Sequence, residues 1–237
     1  MQVKLSDWVI EFLASKGIDT VFSVSGGMAA HLLDSVKKQS GIKYVANRHE
    51  QACSMAAEGY AKIKNKPACV LITNGPGSAN AITGVVGAFQ DSVPMIVISG
   101  QVPINQSLGS CNVKLRQFGV QELDIVPIVN SIAKYSIQIV KANDVRRIFE
   151  EAYYKCMSGR MGPVWIDIPL DIQSSIVETD DLVGYTQEND VYPLFNADKI
   201  YEAIKNSSKP LIVAGNGIRL SGSENKFSLL VKKLGIP

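Results

Sequence analysis

The chain has no apolar run near the ~20 residues that a membrane-spanning helix needs, so no membrane partner is expected. Its first residues, MQVKLSDW, hold no apolar stretch of the signal-peptide kind. The four cysteines, at 53, 69, 111 and 156, form no CxxC pair, which speaks against a zinc site. Cys53 and Cys69 sit in apolar or small-residue runs and read as buried thiols. A reducing, cytoplasmic compartment is expected from this cysteine usage. Histidine is scarce, and no GxSxG turn occurs, so Ser-His-Asp chemistry finds little support. Charge is also sparse: 19% of residues are charged and the net charge is +2. A near-neutral chain without a basic stripe is not expected to bind nucleic acid.

What the chain does have is apolar material, 46% of its residues, arranged in a regular order. Leu5, Trp8, Val9, Phe12 and Leu13 repeat at the spacing of one helical face, and Gly17 follows as a stop. Strands are expected at 20–24, 42–46, 68–73, 94–99, 134–140 and 164–168. Helices are expected at 30–36, 51–63, from the GPG turn to residue 89, and at 145–156 with Asn143 as cap. Residues 100–122 show no period and are long for a loop, which marks them as a functional candidate. Strands that alternate with helices and are apolar on both faces predict a doubly wound parallel α/β sheet, with helices on both faces. Residues 1–173 are expected to form this domain. Residues 174–195 lose the pattern and gain acids, and read as a linker. At 196–237 a second α/β domain is expected to begin, with helices at 197–205 and 223–234 and a strand at 210–215. Its pattern stops on entering a further strand, so this domain is expected to be a truncated start.

In open parallel sheets, ligands sit at the carboxyl ends of the strands. Four turns fall there: SVSGGM, NRHEQ, TNGPGSAN and SGQVP. Each has a plain structural explanation. Gly26 and Gly27 can simply allow a tight turn. Pro76 at a helix start is ordinary local chemistry, and GPGSAN lacks the Lys-Ser/Thr of a phosphate loop. Glu50 at a helix start is favoured by the helix dipole. Taken alone, that account of Glu50 is as strong as a catalytic one. His49 reads as a polar loop group, His31 as a helix-face residue and Arg116 as a solvated charge. AGNGIRLSG, at 214–222, is a second glycine turn that could accept a dinucleotide phosphate.

Together the pieces resemble one family. FSVSGG, RHEQACSMAAEGYAK, LITNGPGSANAITGVVGAFQDSVPMIVISGQVP, LRQFGVQELDIV and SGRMGPVWIDIPLDIQ come in the order seen in thiamine-diphosphate enzymes of the acetolactate synthase and pyruvate oxidase group. The resemblance runs from about Leu5 to Gln173, and more weakly into 210–222. It implies that Glu50 is catalytic: it hydrogen-bonds N1′ of the cofactor's aminopyrimidine ring and promotes the imino tautomer that takes the C2 proton. The physics suits this place. Desolvation disfavours a charged carboxylate, so a partly buried Glu shares a proton near neutral pH better than a solvated one.

The same resemblance places Ser25 and Gly26 in a turn that approaches the pyrimidine. It places Thr73, Pro76, Gly77 and Asn80 along the ring, Gln121 on the substrate side, and Lys134 near the substrate channel. It implies decarboxylation of a 2-oxo acid such as pyruvate and transfer of the two-carbon unit to an acceptor carbonyl. It also implies a homodimer or homotetramer with the site between subunits, and FAD in the central domain.

Two departures bear on the substrate. Ser25 stands where acetolactate synthases usually have Pro, and Val120 where they have Phe. The LRQFGVQELDIV loop looks more like relatives from sugar-modifying pathways, so an acceptor that is a sugar or a dione is a second possibility. The family binds Mg²⁺ and the diphosphate through a GDG motif, which this sequence lacks. The chain therefore reads as holding half a site and inactive alone, a fragment of a longer enzyme. The rivals are a subunit of a split enzyme and a non-catalytic nucleotide-binding module.

Overall fold

Among the strands, apolar residues alternate between two helix layers rather than between a helix layer and water. Cys69, Leu71, Ile96, Ile98, Val164, Ile166 and Ile168 face one core. Ala68, Val70, Ile72, Met95, Val97 and Trp165 face the other. Such strands are apolar at every position because both faces are covered. The computed structural model describes residues 1–187 and 195–237. They fall into two units, Met1–Thr186 and Gln187–Pro237.

The first unit carries six parallel strands: β2 (Thr20–Ser23), β3 (Lys43–Ala46), β4 (Ala68–Ile72), β5 (Met95–Gln101), β6 (Tyr135–Gln138) and β7 (Pro163–Pro169). Their order across the sheet is β3-β2-β4-β5-β7-β6. Helices α1 (Leu5–Ser15), α2 (Ala30–Lys38), α6 (Val145–Met157) and α7 (Leu170–Ser174) cover one face. Helices α3 (Glu50–Lys64), α4 (Pro76–Gln90) and α5 (Ile125–Val129) cover the other. This is the doubly wound sheet the sequence predicts. The order reverses between β2 and β4, so the crevice for a ligand opens at their carboxyl ends.

Some expectations are corrected. The unit does not stop at Gln173. Strand β8 (Ile176–Glu178) returns to pair antiparallel with β1 (Gln2–Lys4), and Leu182 is buried in the first core. Residues 188–194 of the expected linker lie outside the described residues. Asn143 does not cap α6: it lies in a short turn at Ala142–Asp144, and the cap position falls on Asp144 without a side-chain bond. Helix α5 was not foreseen, because IVPIV is β-branched with Pro127 inside it. The proline is tolerated because a first-turn N–H has no helical partner anyway.

The second unit contains α8 (Ala197–Lys205), α9 (Gly217–Leu220) and α10 (Glu224–Leu234). The strand expected at 210–215 does not form. Among the described residues its one link of that kind is Ile212 N to Pro237 O, 2.9 Å, and Leu211 and Val213 are exposed. One backbone bond is not a ladder, and a strand with no sheet to join has nothing to hold it extended.

The thiols are free. Burial pushes Cys53 up to about 11, and Cys69 and Cys156 up to about 12. At neutral pH they are small apolar groups, as their positions in the sequence indicate.

Candidate functional site

Glu50 is the first residue of α3, and it is only 8% exposed. The helix starts here because His49 caps it: its Nδ1 accepts the Gln51 N–H at 3.2 Å. The polar role expected for His49 is therefore a specific one. The Glu50 carboxylate is held by Asn80, whose Nδ2 donates to Oε2 at 3.0 Å. Asn80 reaches it because α3 and α4 pack closely, with Gly84 lying against Ser54.

Two glycines let the neighbouring turns pack closely here, and one of them, Gly77, lies against this carboxylate. A Cβ on Gly77 would stand 2.9 Å from Thr73 Cγ2 and 3.1 Å from Glu50 Oε1. A Cβ on Gly26 would stand 2.7 Å from Thr73 Cγ2 and 2.8 Å from its Oγ1. Thr73 thus touches the turn after β2 and the turn after β4 at once. Ser78 ties that second turn down, donating to Thr73 O at 2.7 Å. The SGQVP turn joins from the third side, since a Cβ on Gly100 would overlap the Met28 carbonyl. All four turns singled out in the sequence therefore meet around the switch point.

Gln121 lies against the same assembly. Its backbone has φ +54°, and its carbonyl sits where a Cβ on Gly75 would be. Pro76 is exposed at the start of α4. Ser25 lines a shallow cleft of about 310 Å³ with Leu33, Val36, Lys37 and Tyr44. Lys134 is not brought to this place. It precedes β6, at the amino end of the sheet, and donates to Ser158 O at 2.6 Å. Parallel strands put that end opposite Glu50, so Lys134 is not gathered with the other site residues of this chain.

Behind the site lies a polar cluster that sequence patterns did not reveal. Asp167, 1% exposed, accepts from Ser99 Oγ at 2.5 Å, Gln138 Nε2 at 2.9 Å and Gln101 Nε2 at 3.1 Å. Trp165 Nε1 donates to Ser99 Oγ at 2.8 Å. Burial pushes the Asp167 carboxyl up to about 6 from 3.8, with the nearby Asp124 charge adding to the rise, although its three donors pull the other way. A carboxyl that binds its proton more tightly when folded contributes stability that is full below about pH 4. That contribution is lost as pH rises through about 6. Asp167→Asn keeps the shape without the charge. Relative to this variant, the wild-type protein is expected to lose about 2 kcal/mol of unfolding free energy between pH 4 and 7. Denaturant titrations of both proteins at the two pH values measure it; a difference that does not change with pH contradicts the assignment.

Among the described residues no cluster of His, Cys, Asp or Glu could hold a metal ion, and no helix is long and apolar enough to cross a membrane.

A doubly wound sheet whose switch-point turns close over one buried carboxylate defines a ligand-binding α/β domain. The chain belongs to the thiamine pyrophosphate enzymes: the family described as "Thiamine pyrophosphate enzyme, N-terminal TPP binding domain" matches residues 3–128. It is 37% identical over 236 residues to the acetolactate synthase large subunit of Lactococcus lactis, covering 98% of this chain and 40% of that one. It is 35% identical over 240 residues to the chloroplastic acetolactate synthase of Arabidopsis thaliana, covering 99% and 34%. An X-ray structure described as that of a candidate thiamin diphosphate-dependent enzyme from Mycobacterium smegmatis superposes with a TM-score of 0.83 at 25% identity, over 100% of this chain and 44% of that one. The chain thus spans less than half the length of these relatives.

Proposed function

We propose that this chain is the pyrimidine-binding part of a thiamine diphosphate-dependent enzyme that acts on a 2-oxo acid, pyruvate first among them, and passes the two-carbon unit to an acceptor carbonyl. The observation that carries the reading is Glu50: a carboxylate buried at the switch point, oriented by Asn80 and closed in by Gly77. The residues fit the ring. Glycine at 26 and 77 lets both turns close on Thr73, where a Cβ would clash, and Gly26, Thr73, Gly77 and Asn80 would line the ring.

Thiamine diphosphate, when bound, supplies the nucleophilic carbon that attacks the 2-oxo group. The chain's own part is proton handling and positioning. A carboxyl group accepts a hydrogen bond when ionised and donates one when protonated, so Glu50 can hold or release a proton at a ring nitrogen. Asn80 keeps the carboxylate from turning away. Buried Ala57 and Cys53 behind it, with the small Ala56, keep water out.

The diphosphate and Mg²⁺ would be held by a further domain, and the complete enzyme would be a homodimer or homotetramer with the site between subunits. Free, buried cysteines support a reducing cytoplasmic location. For FAD at 214–222 the support is the sequence pattern alone: α9 is four residues long, and Gly215 and Gly217 face open space. The test is a titration of the full-length protein with thiamine diphosphate and Mg²⁺, followed by pyruvate turnover. Saturable binding and CO₂ release are expected; absence of cofactor binding by the full-length protein contradicts the proposal.

A further inference from the structure

The long segment after β5 has little regular structure, yet it is fastened at four consecutive residues. Val120 O accepts from Asn74 Nδ2 at 2.8 Å. Gln121 O packs on Gly75. Leu123 O accepts from Gln101 Nε2 at 2.9 Å, the same amide that reaches Asp167. Between them, the Glu122 carboxylate gathers three backbone N–H groups: Leu108 at 2.5 Å through Oε1, and Phe118 at 3.2 Å and Gly119 at 2.9 Å through Oε2. Gly119 is itself wedged in, because a Cβ there would stand 2.6 Å from Gln106 O.

Glu122 is the acceptor that these three N–H groups share. With it, residues 108–119 are folded back on the residue next to Gln121. The pins on either side favour the left-handed backbone of Gln121, φ +54°.

We infer that Glu122 is a positioning residue: its carboxylate sets the backbone of residues 118–122 and thereby aims Gln121 at the substrate side of the site. The role rests on the function proposed above. It separates two jobs within one crevice. Glu50, Asn80 and Gly77 serve the cofactor ring, whereas Asn74, Gln101 and Glu122 serve the loop that meets the substrate. Damage to the second group should therefore leave cofactor binding alone.

The test uses Glu122→Gln in the full-length enzyme, with Glu122→Ala as a second variant. Gln keeps the shape but offers one acceptor oxygen and turns an NH₂ toward N–H groups. Amide exchange at Leu108, Phe118 and Gly119 is expected to quicken by about tenfold, and KM for pyruvate to rise by about tenfold, more in the Ala variant. The affinity for thiamine diphosphate should stay within about twofold. Unchanged amide exchange overturns the inference. So does quickened exchange with unchanged KM, which would make Glu122 a staple with no bearing on substrate. A parallel loss of cofactor affinity overturns it too. A wild-type enzyme that turns over no 2-oxo acid overturns the proposed function and this role together, and is recognised because the wild type itself fails.

Discussion

Glu50→Gln in the full-length enzyme is expected to lower turnover by about 10²-fold or more with the fold intact, the range that a positioned proton-transfer group supplies. The substitution is nearly isosteric. The Gln oxygen can still accept from Asn80, and Gly77, which lies against the carboxylate, still fits. What is lost is the ability to exist in both protonation states. The competing explanation makes a different forecast. If Glu50 serves only the dipole of α3, the change costs about 0.3–1 kcal/mol of stability and nothing in turnover. Steady-state kinetics and a thermal melt of the same preparation separate the two.

Gly75→Ala is expected to do comparable harm by a different route. Gly75 has φ +60° and ψ −125°, outside the left-handed helical well and in a sparsely populated region that costs an L-residue about 1–3 kcal/mol. Its new Cβ would also overlap Gln121 O and stand 3.1 Å from the Gln121 carbonyl carbon. The GPG turn is fixed by Ser78 and by the start of α4, so the Gln121 loop must give way. A displacement of about an ångström at a substrate-facing group costs roughly 10²-fold in rate. Gly41→Ala, with nothing within 4 Å of its Cβ, is the control and should behave as wild type. Wild-type kinetics in Gly75→Ala would mean that Gln121 has no part in the reaction.

The fold was legible because each central strand must be apolar on both faces, and such runs stand out between helical stripes. Of the stripe Val145, Ile148, Phe149, Ala152, Tyr153 and Cys156 along α6, all are buried except Tyr153, which is half-buried against the same core. Strands β1 and β8 were not legible: three residues carry no period, and their pairing joins opposite ends of the unit. The strand expected at 210–215 had the right composition, but composition does not supply neighbours.

In the site, spacing alone left Glu50 between two accounts, and only the family resemblance favoured the catalytic one. The residues that spacing could not reveal, Asn74, Gln101, Glu122 and Asp167, are polar groups whose partners lie far along the chain. Gln101 and Asp167 are 66 residues apart. Their meaning is created only when β5 and β7 become neighbours. Lys134 shows the converse, for only the sheet's direction reveals that it lies at the far end from Glu50.

The measurement that tests the account most directly is the rate of C2 hydrogen–deuterium exchange of thiamine diphosphate bound to the full-length enzyme, in wild type and in Glu50→Gln. Exchange accelerated in the wild type and slowed by about 10²-fold or more in the variant is the result the account predicts. Equal rates in the two proteins would contradict it, and would return Glu50 to the role of a helix-end charge.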